Sequence, residues 1–220
     1  HCRAGNASAG DGMTAMSAVP EAIRAGIIDK LERLAARPML PDTPAAAAIA
    51  ESLEYVWACS AFAADACLRD EGLLEWLATQ GRLLEHADAA WYAQTADAVT
   101  QPGRNDDAAF MSALRIYRRR QLVRIAWRDL AGHAPIEQIL AELSWLADAC
   151  INVACRQAAA LLGARHGVPK DRNGVELPLL VLGMGKLGGG ELNFSSDIDL
   201  VFLFAEHGDT TGPRPLEHEE

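Results

Sequence analysis

Asp197 and Asp199, separated by one residue, stand where a short polar segment re-enters an apolar run, and no other residues of this chain are so well suited to chemistry. A strand places residues i and i+2 on one face, so the two carboxylates would point the same way while Ile198 and Leu200 point the other. Side by side they repel, unless a cation neutralises them or one of them takes up a proton. Two hard oxygen donors so placed suit a magnesium site for phosphoryl or nucleotidyl chemistry. They belong to the stretch Leu177–Phe204, LPLLVLGMGKLGGGELNFSSDIDLVFLF, which reads as an apolar strand, a glycine-rich turn, a polar segment and a second strand.

Two familiar phosphate sites fit this stretch poorly. Gly183, Gly185 and Gly188 match the dinucleotide pattern G-x-G-x-x-G, with Glu206 at a tolerable distance for a ribose acid. A Rossmann unit then needs a crossover helix before its next strand, and the glycine-rich and Asn193-Phe194-Ser195-Ser196 segments that intervene are poor helix formers. Gly185-Lys186 suggests a P-loop, but that motif requires glycine where Leu180 stands and serine or threonine at Leu187.

The elements that must position the pair are mostly helical. Apolar residues recur at helical spacing over Glu21–Arg37, Ala45–Asp70 and Leu73–Leu84. Thr43 is a suitable N-cap with Pro44 at the first helical position. His86–Asp107 is weakly patterned and reads as a partly helical connection. Two further helices are expected over Asp106–Ala131 and Ile136–Leu162, the second ended by Gly163, Gly167 and Pro169. Lys170–Glu176 reads as a polar hairpin or linker. The expectation is a bundle of five or so helices over residues 20–170, then from residue 175 the start of an α/β or α+β domain. Residues 1–19 read as a structureless extension, with Met13 or Met16 as a plausible start. The polar Gly208–Glu220 end follows too few strands for a stable sheet, so the chain reads as cut off inside a domain.

Composition narrows the class. Half of the 220 residues are apolar and the net charge is −10, which fits a globular protein and argues against generic nucleic-acid binding. No apolar run approaches the ~20 residues of a membrane span. The five cysteines show no C-x-x-C spacing and read as reduced, buried residues of a cytoplasmic protein. The six histidines, His207 among them, are scattered without metal-ligand spacing, and the tryptophans sit at helix-core spacing. In the arginine-rich run 115–128, Arg118, Arg120, Arg124 and Arg128 fall mostly away from Leu122, Ala126 and Leu130, and Arg115 and Arg119 fall on that apolar side. Arginine on a buried face must be paired, so the expectation is ion pairs rather than phosphate binding.

The layout of a strand, a Gly-Ser turn opening a short helix, and a strand bearing Asp-x-Asp resembles the nucleotidyltransferase core of the DNA polymerase beta type, with Lys186 at the usual serine position. On that reading the Gly183–Gly185 turn and helix start turn amides toward phosphate oxygens. Lys186 adds a point charge there or pairs with Asp197 or Asp199. Ser195 and Ser196 either donate to phosphate or cap the turn before the strand, and Glu191 is a surface or structural acid. More closely, GMGKLGGGELNFSSDIDLVFLF resembles the bifunctional glutamine synthetase adenylyltransferase/adenylyl-removing family, and Asn193–Asp199 is similar to its first, adenylyl-removing half. Leu114–Ala126 also looks like that half's arginine-rich helix.

The resemblance implies phosphorolysis of adenylylated glutamine synthetase, with Asp197 and Asp199 as ligands of Mg²⁺ or Mn²⁺, ADP or ATP as nucleotide, and a third aspartate on a later strand. It implies a PII signal protein as a candidate partner of other parts of the full chain, while the charge and the lack of a long apolar run speak for no nucleic-acid or membrane partner. The 220 residues alone are then expected to be inactive. The residues themselves do not fix the direction of the reaction. Another nucleotidyltransferase of the same superfamily, or a non-catalytic helical interaction module, remains open at this level.

Overall fold

The computed structural model of the chain describes residues 19–205 and 208–216; the expected extension up to residue 18, and Glu206 and His207, lie outside them. Among the described residues the chain runs through eight helices before a two-stranded sheet. The helices are α1 (Glu21–Ala25), α2 (Ile28–Ala35), α3 (Pro44–Cys59), α4 (Ala61–Arg69), α5 (Leu73–Thr79), α6 (Ala89–Thr100), α7 (Asp107–Leu130) and α8 (Ile136–His166). They are distributed over two compact units, His1–Ala87 with Arg115–Ile139, and Asp88–Leu114 with Leu140–Glu220. No helix among the described residues is long and apolar enough to cross a membrane.

In the first unit, Ile49, Val56 and Trp57 of α3 pack with Leu73 and Leu77 of α5 and with Val123 and Trp127 of α7 in one buried cluster. Thr43 caps α3 as expected, accepting from the Ala46 N–H at 3.0 Å, and its hydroxyl donates to the Ala78 carbonyl at the end of α5. The Trp127 indole N–H donates to the Ser52 hydroxyl at 2.8 Å, so these two buried polar groups satisfy each other. Cys67 is buried in the same cluster, and desolvation pushes its thiol up to about 12. Cys59, Cys150 and Cys155 are in no disulfide among the described residues and are only half-buried, a departure from the fully buried reading.

The expected helices are interrupted more often than their periodicity suggested. Glu21–Arg37 is two helices, because the chain turns at Gly26–Ile27 and Ile27 goes into the core at 6% exposure. Ala45–Asp70 is also two. Ser60 takes an extended conformation, ends α3, and caps α4 by accepting from the Ala63 N–H, so it is a junction between two helices. The third helix stops at Thr79 rather than Leu84, since the segment after it serves as a hydrogen-bond acceptor for α7.

That segment explains the arginines. Arg124 and Arg128, placed by periodicity away from the apolar side, are 0% and 1% exposed. Arg124 donates to the carbonyls of Gly81, Arg82 and Glu85, and Arg128 to that of Leu83. A helical wheel ranks arginine as polar, but here the carbonyls of a turn pack against the helix and buried guanidinium groups donate to them. Arg120 makes the expected ion pair instead, bidentate to Asp70 at 2.7 and 2.9 Å, and lies over the Trp76 ring at 5.9 Å. Arg115 and Arg118 are exposed and Arg119 is half-buried.

In the second unit, the weakly patterned region after His86 contains a complete helix, α6, capped by Asp88 accepting from the Trp91 N–H. The weak amphipathicity that obscured it reflects its many alanines. Helix α8 runs four residues beyond the expected Leu162, because Gly163 is tolerated within it and Gly167, at φ +89°, ends it. Within this unit the Tyr92 hydroxyl donates to the buried Glu142 carboxylate at 2.9 Å, and Asp97 accepts from both Arg104 and Arg156. Lys170–Glu176 is a hairpin closed by a bridge between those two residues and by Asp171, whose carboxylate accepts from the amides of Asn173 and Val175.

Replacing Arg124 by methionine keeps the apolar stem and takes the guanidinium donor from the Gly81 and Glu85 carbonyls, while the Arg82 carbonyl keeps the Glu85 N–H. A loss of about 3 kcal/mol is expected, read as a lower urea midpoint at unchanged slope. The Arg120 hydrogen bonds hold the Asp70 carboxyl below the usual range. A depressed carboxylate stabilises the fold above its unfolded value and loses that contribution as pH falls through the folded one. Acid unfolding below about pH 4 should therefore be shallower in Asp70→Asn than in the parent chain.

Candidate functional site

The sheet consists of β1 (Leu180–Gly183) and β2 (Leu200–Leu203), paired antiparallel with Leu180 opposite Leu203 and Gly183 opposite Leu200. The strand bearing the aspartates thus begins one residue after Asp199, and the pair lies at its approach rather than within it. The ladder nonetheless reaches Asp199, whose carbonyl accepts from the Met184 N–H at 2.9 Å. By this bond the glycine turn after β1 and the aspartates before β2 are direct neighbours. Asp199 is held by the ladder. Asp197, two residues earlier, is not.

The turn is built for close approach. Gly185 has φ +56°, a left-handed conformation that costs a side-chain-bearing residue about 1 kcal/mol or more. Gly188 lies so close to the Gly183 carbonyl that a Cβ there would overlap it. Between them runs α9 (Gly185–Gly188), a single helical turn whose first amides have no intrahelical acceptor. Lys186 is exposed on it and, among the described residues, forms no ion pair with Asp197 or Asp199, so the pairing alternative is not realised. Glu191 is exposed, its N–H donating to the Lys186 carbonyl at 2.8 Å.

Two leucines seat the loop. Leu187 and Leu192 are 7% and 6% exposed, the buried residues of an otherwise open stretch. The Leu192 N–H donates to the Ser144 hydroxyl of α8 at 3.1 Å, while that hydroxyl donates to the Leu140 carbonyl at 2.9 Å. Asn193 then organises the approach to the aspartates. Its side-chain oxygen accepts from the Ser195 N–H at 3.2 Å, the Ser195 hydroxyl at 3.1 Å and the Ser196 hydroxyl at 2.7 Å. Its backbone carbonyl accepts from the Ser196 N–H at 3.2 Å. The proton that Ser196 would offer a phosphate is thus already engaged in the turn, the arrangement expected of a capping serine.

Asp197 and Asp199 are both exposed, and neither is committed to a lysine or arginine among the described residues. An uncommitted, all-oxygen pair fits a hard divalent cation such as Mg²⁺ or Mn²⁺ better than a soft one. Among the described residues no group of three His, Cys, Asp or Glu is assembled to hold a metal. The structure therefore brings Gly183, Gly185, Lys186, Ser196, Asp197 and Asp199 into one stretch around the sheet's end. Asn193 and Ser144 went unrecognised in the sequence. Asparagine three residues before a serine is a turn signal that could have marked the first. Ser144 lies inside a helix, with no local pattern to mark it.

The profile of the glutamate-ammonia ligase adenylyltransferase family matches residues 50–220. A bifunctional glutamine synthetase adenylyltransferase/adenylyl-removing enzyme from Thioalkalivibrio sulfidiphilus is 42% identical over 208 residues, covering 93% of this chain and 21% of that protein. One of the same name from Nitrosococcus oceani is 40% identical over 185 residues, covering 81% and 19%. Another from Shewanella loihica is 51% identical over 112 residues, covering 51% and 12%. The chain spans about a fifth of the length of the first of these relatives. With residues 50–220 inside the family profile, the chain belongs to the glutamate-ammonia ligase adenylyltransferase family.

Proposed function

We propose that this chain carries part of a metal-dependent nucleotidyltransferase centre that controls glutamine synthetase, and that it serves the removal of AMP. The observation that carries the proposal is the Met184 N–H to Asp199 carbonyl bond, which sets a glycine turn beside two uncommitted carboxylates. The names of the relatives supply the substrate class, and the resemblance of Asn193–Asp199 to the adenylyl-removing half favours removal over addition. A nucleotidyltransferase fold is part of the same proposal, supported by the order of strand, one-turn helix and returning strand after a mostly helical region.

In this reading an oxygen of inorganic phosphate forms a bond to the adenylyl phosphorus as the bond from that phosphorus to the tyrosine oxygen breaks. The products are ADP and a tyrosine phenolate that takes up a proton. Asp197 and Asp199 would hold a divalent cation, which when bound supplies charge neutralisation at the entering and leaving oxygens. Lys186, exposed and unpaired among the described residues, offers a positive charge to the phosphates from the opposite strand end. The free amides at the start of the turn give the same oxygens neutral donors. Asn193 keeps the serine hydroxyls ordered rather than available.

In the longer enzyme carrying this segment, Asp197→Asn and Asp199→Asn should each lower phosphate-dependent release of ADP from adenylylated glutamine synthetase by about 100-fold or more, some 3 kcal/mol of barrier. AMP transfer from ATP should be unaffected. Loss of transfer with removal intact would reverse the assignment of direction, and undiminished removal would sink the metal site. The 220 residues alone contribute two carboxylates among the described residues and no third. They should give no ADP above background in the same assay.

A further inference from the structure

Two aspartates that share a cation must be held at a fixed separation against their mutual repulsion, and the chain fixes them by different means. Asp199 is set by the β1–β2 register, which its own carbonyl extends. Asp197 has no ladder bond, and the structure before it is the Asn193–Ser196 turn. One side-chain oxygen closes that turn with three hydrogen bonds, from a backbone amide and two hydroxyls. The turn is in turn fixed to the unit. Leu192, immediately before Asn193, is buried and tied to Ser144 of α8, which is itself 3% exposed. A line of constraint therefore runs from α8 through Leu192 and Asn193 to the backbone entering Asp197.

We propose that Asn193 is a positioning residue for Asp197, and through it for the cation that the aspartate pair binds; the proposal rests on the metal-dependent reading above. The Asn193 side-chain oxygen is engaged within the turn. It acts by closing the turn with an acceptor of the right reach. An amide is well chosen for this, because a carboxylate would do the same hydrogen bonding and add charge to an already acidic locus, while serine or alanine would not span to Ser195 and Ser196. The two hydroxyls are the other half of the device, and they direct their protons to Asn193.

The test uses the longer enzyme with this segment, titrated with Mn²⁺ and followed by electron paramagnetic resonance of the free ion. The binding removed in the Asp197→Asn/Asp199→Asn double variant defines the share of this site and separates it from any other Mn²⁺ bound by the enzyme. Asn193→Ala should weaken that share about 10-fold, the usual effect of losing a group that orients a ligand. Asn193→Asp keeps the acceptor and should bind at least as well as the parent. Ser195→Ala/Ser196→Ala removes the donors and should weaken binding as Asn193→Ala does. At saturating Mn²⁺ the turnover of Asn193→Ala should return to within about twofold of the parent, since the ligands themselves are intact, and a general loss of structure would not be rescued by metal. An Mn²⁺ isotherm unchanged in Asn193→Ala, while the double aspartate variant loses its share, would overturn the positioning role. If the double variant loses no Mn²⁺ at all, the metal-dependent reading falls and this proposal falls with it.

Discussion

The antiparallel pairing of Leu180–Gly183 with Leu200–Leu203 is the constraint on which the candidate site depends. A glycine turn and a carboxylate pair about ten residues apart have no reason to meet unless the chain doubles back in one register. A slip by one residue would move Asp199 off the Met184 amide and turn its side chain to the other face of the sheet. The register is pinned from both ends. A Cβ on Gly188 would overlap the Gly183 carbonyl and one on Gly183 would press on the Leu187 side chain, and Leu187 and Leu192 anchor the loop by burial. Small residues at the turn and large ones at its two anchors are thus parts of one device.

The first unit solves a different problem by a related route. Segments that leave helices expose carbonyl rows, and buried carbonyls cost free energy unless paired. In this protein the partner is arginine. Arg37 donates to the carbonyls of Cys67 and Leu68 at the end of α4, and Arg124 and Arg128 donate to those of the turn following α5. Guanidinium groups carry several donors in a fixed plane, so one side chain can serve as the end-cap of a whole turn. The positive charges of Arg124 and Arg128 face backbone dipoles, which is how two arginines of this helix lie in the core of an acidic protein.

Much of this was legible in the residues. The Thr43 cap, the helix start at Leu73, the long helix opening at Ile136 and the hairpin at Lys170–Glu176 are local signals, and each is found where its chemistry placed it. The glycines of the turn and the Asp197–Asp199 pair were legible as well, because few other contexts require those types at that spacing. The breaks at Ile27 and Ser60 were not, since each falls inside an unbroken apolar period and is set by packing against other helices. Nor could the burial of Arg124 and Arg128 be read from one helix. It depends on carbonyls some forty residues away, Gly81 and Leu83, that no periodicity connects to them. Ser144 illustrates the same limit at the site: its hydroxyl looks like an ordinary helical back-bond until Leu192 arrives from a distant part of the chain.

The openness of the sheet has a practical side. Leu180, Leu182, Val201 and Leu203 share one face by strand alternation, each between 38% and 51% exposed, and Phe202 on the other face is 56% exposed. With two strands among the described residues, each strand is also an edge with an unsatisfied row of backbone donors and acceptors. A surface that is both greasy and hydrogen-bond hungry is what templates strand addition between molecules. Concentrated solutions of these residues by themselves should accordingly be turbid, and a charged residue placed at Phe202 would be a rational first step toward a sample fit for spectroscopy.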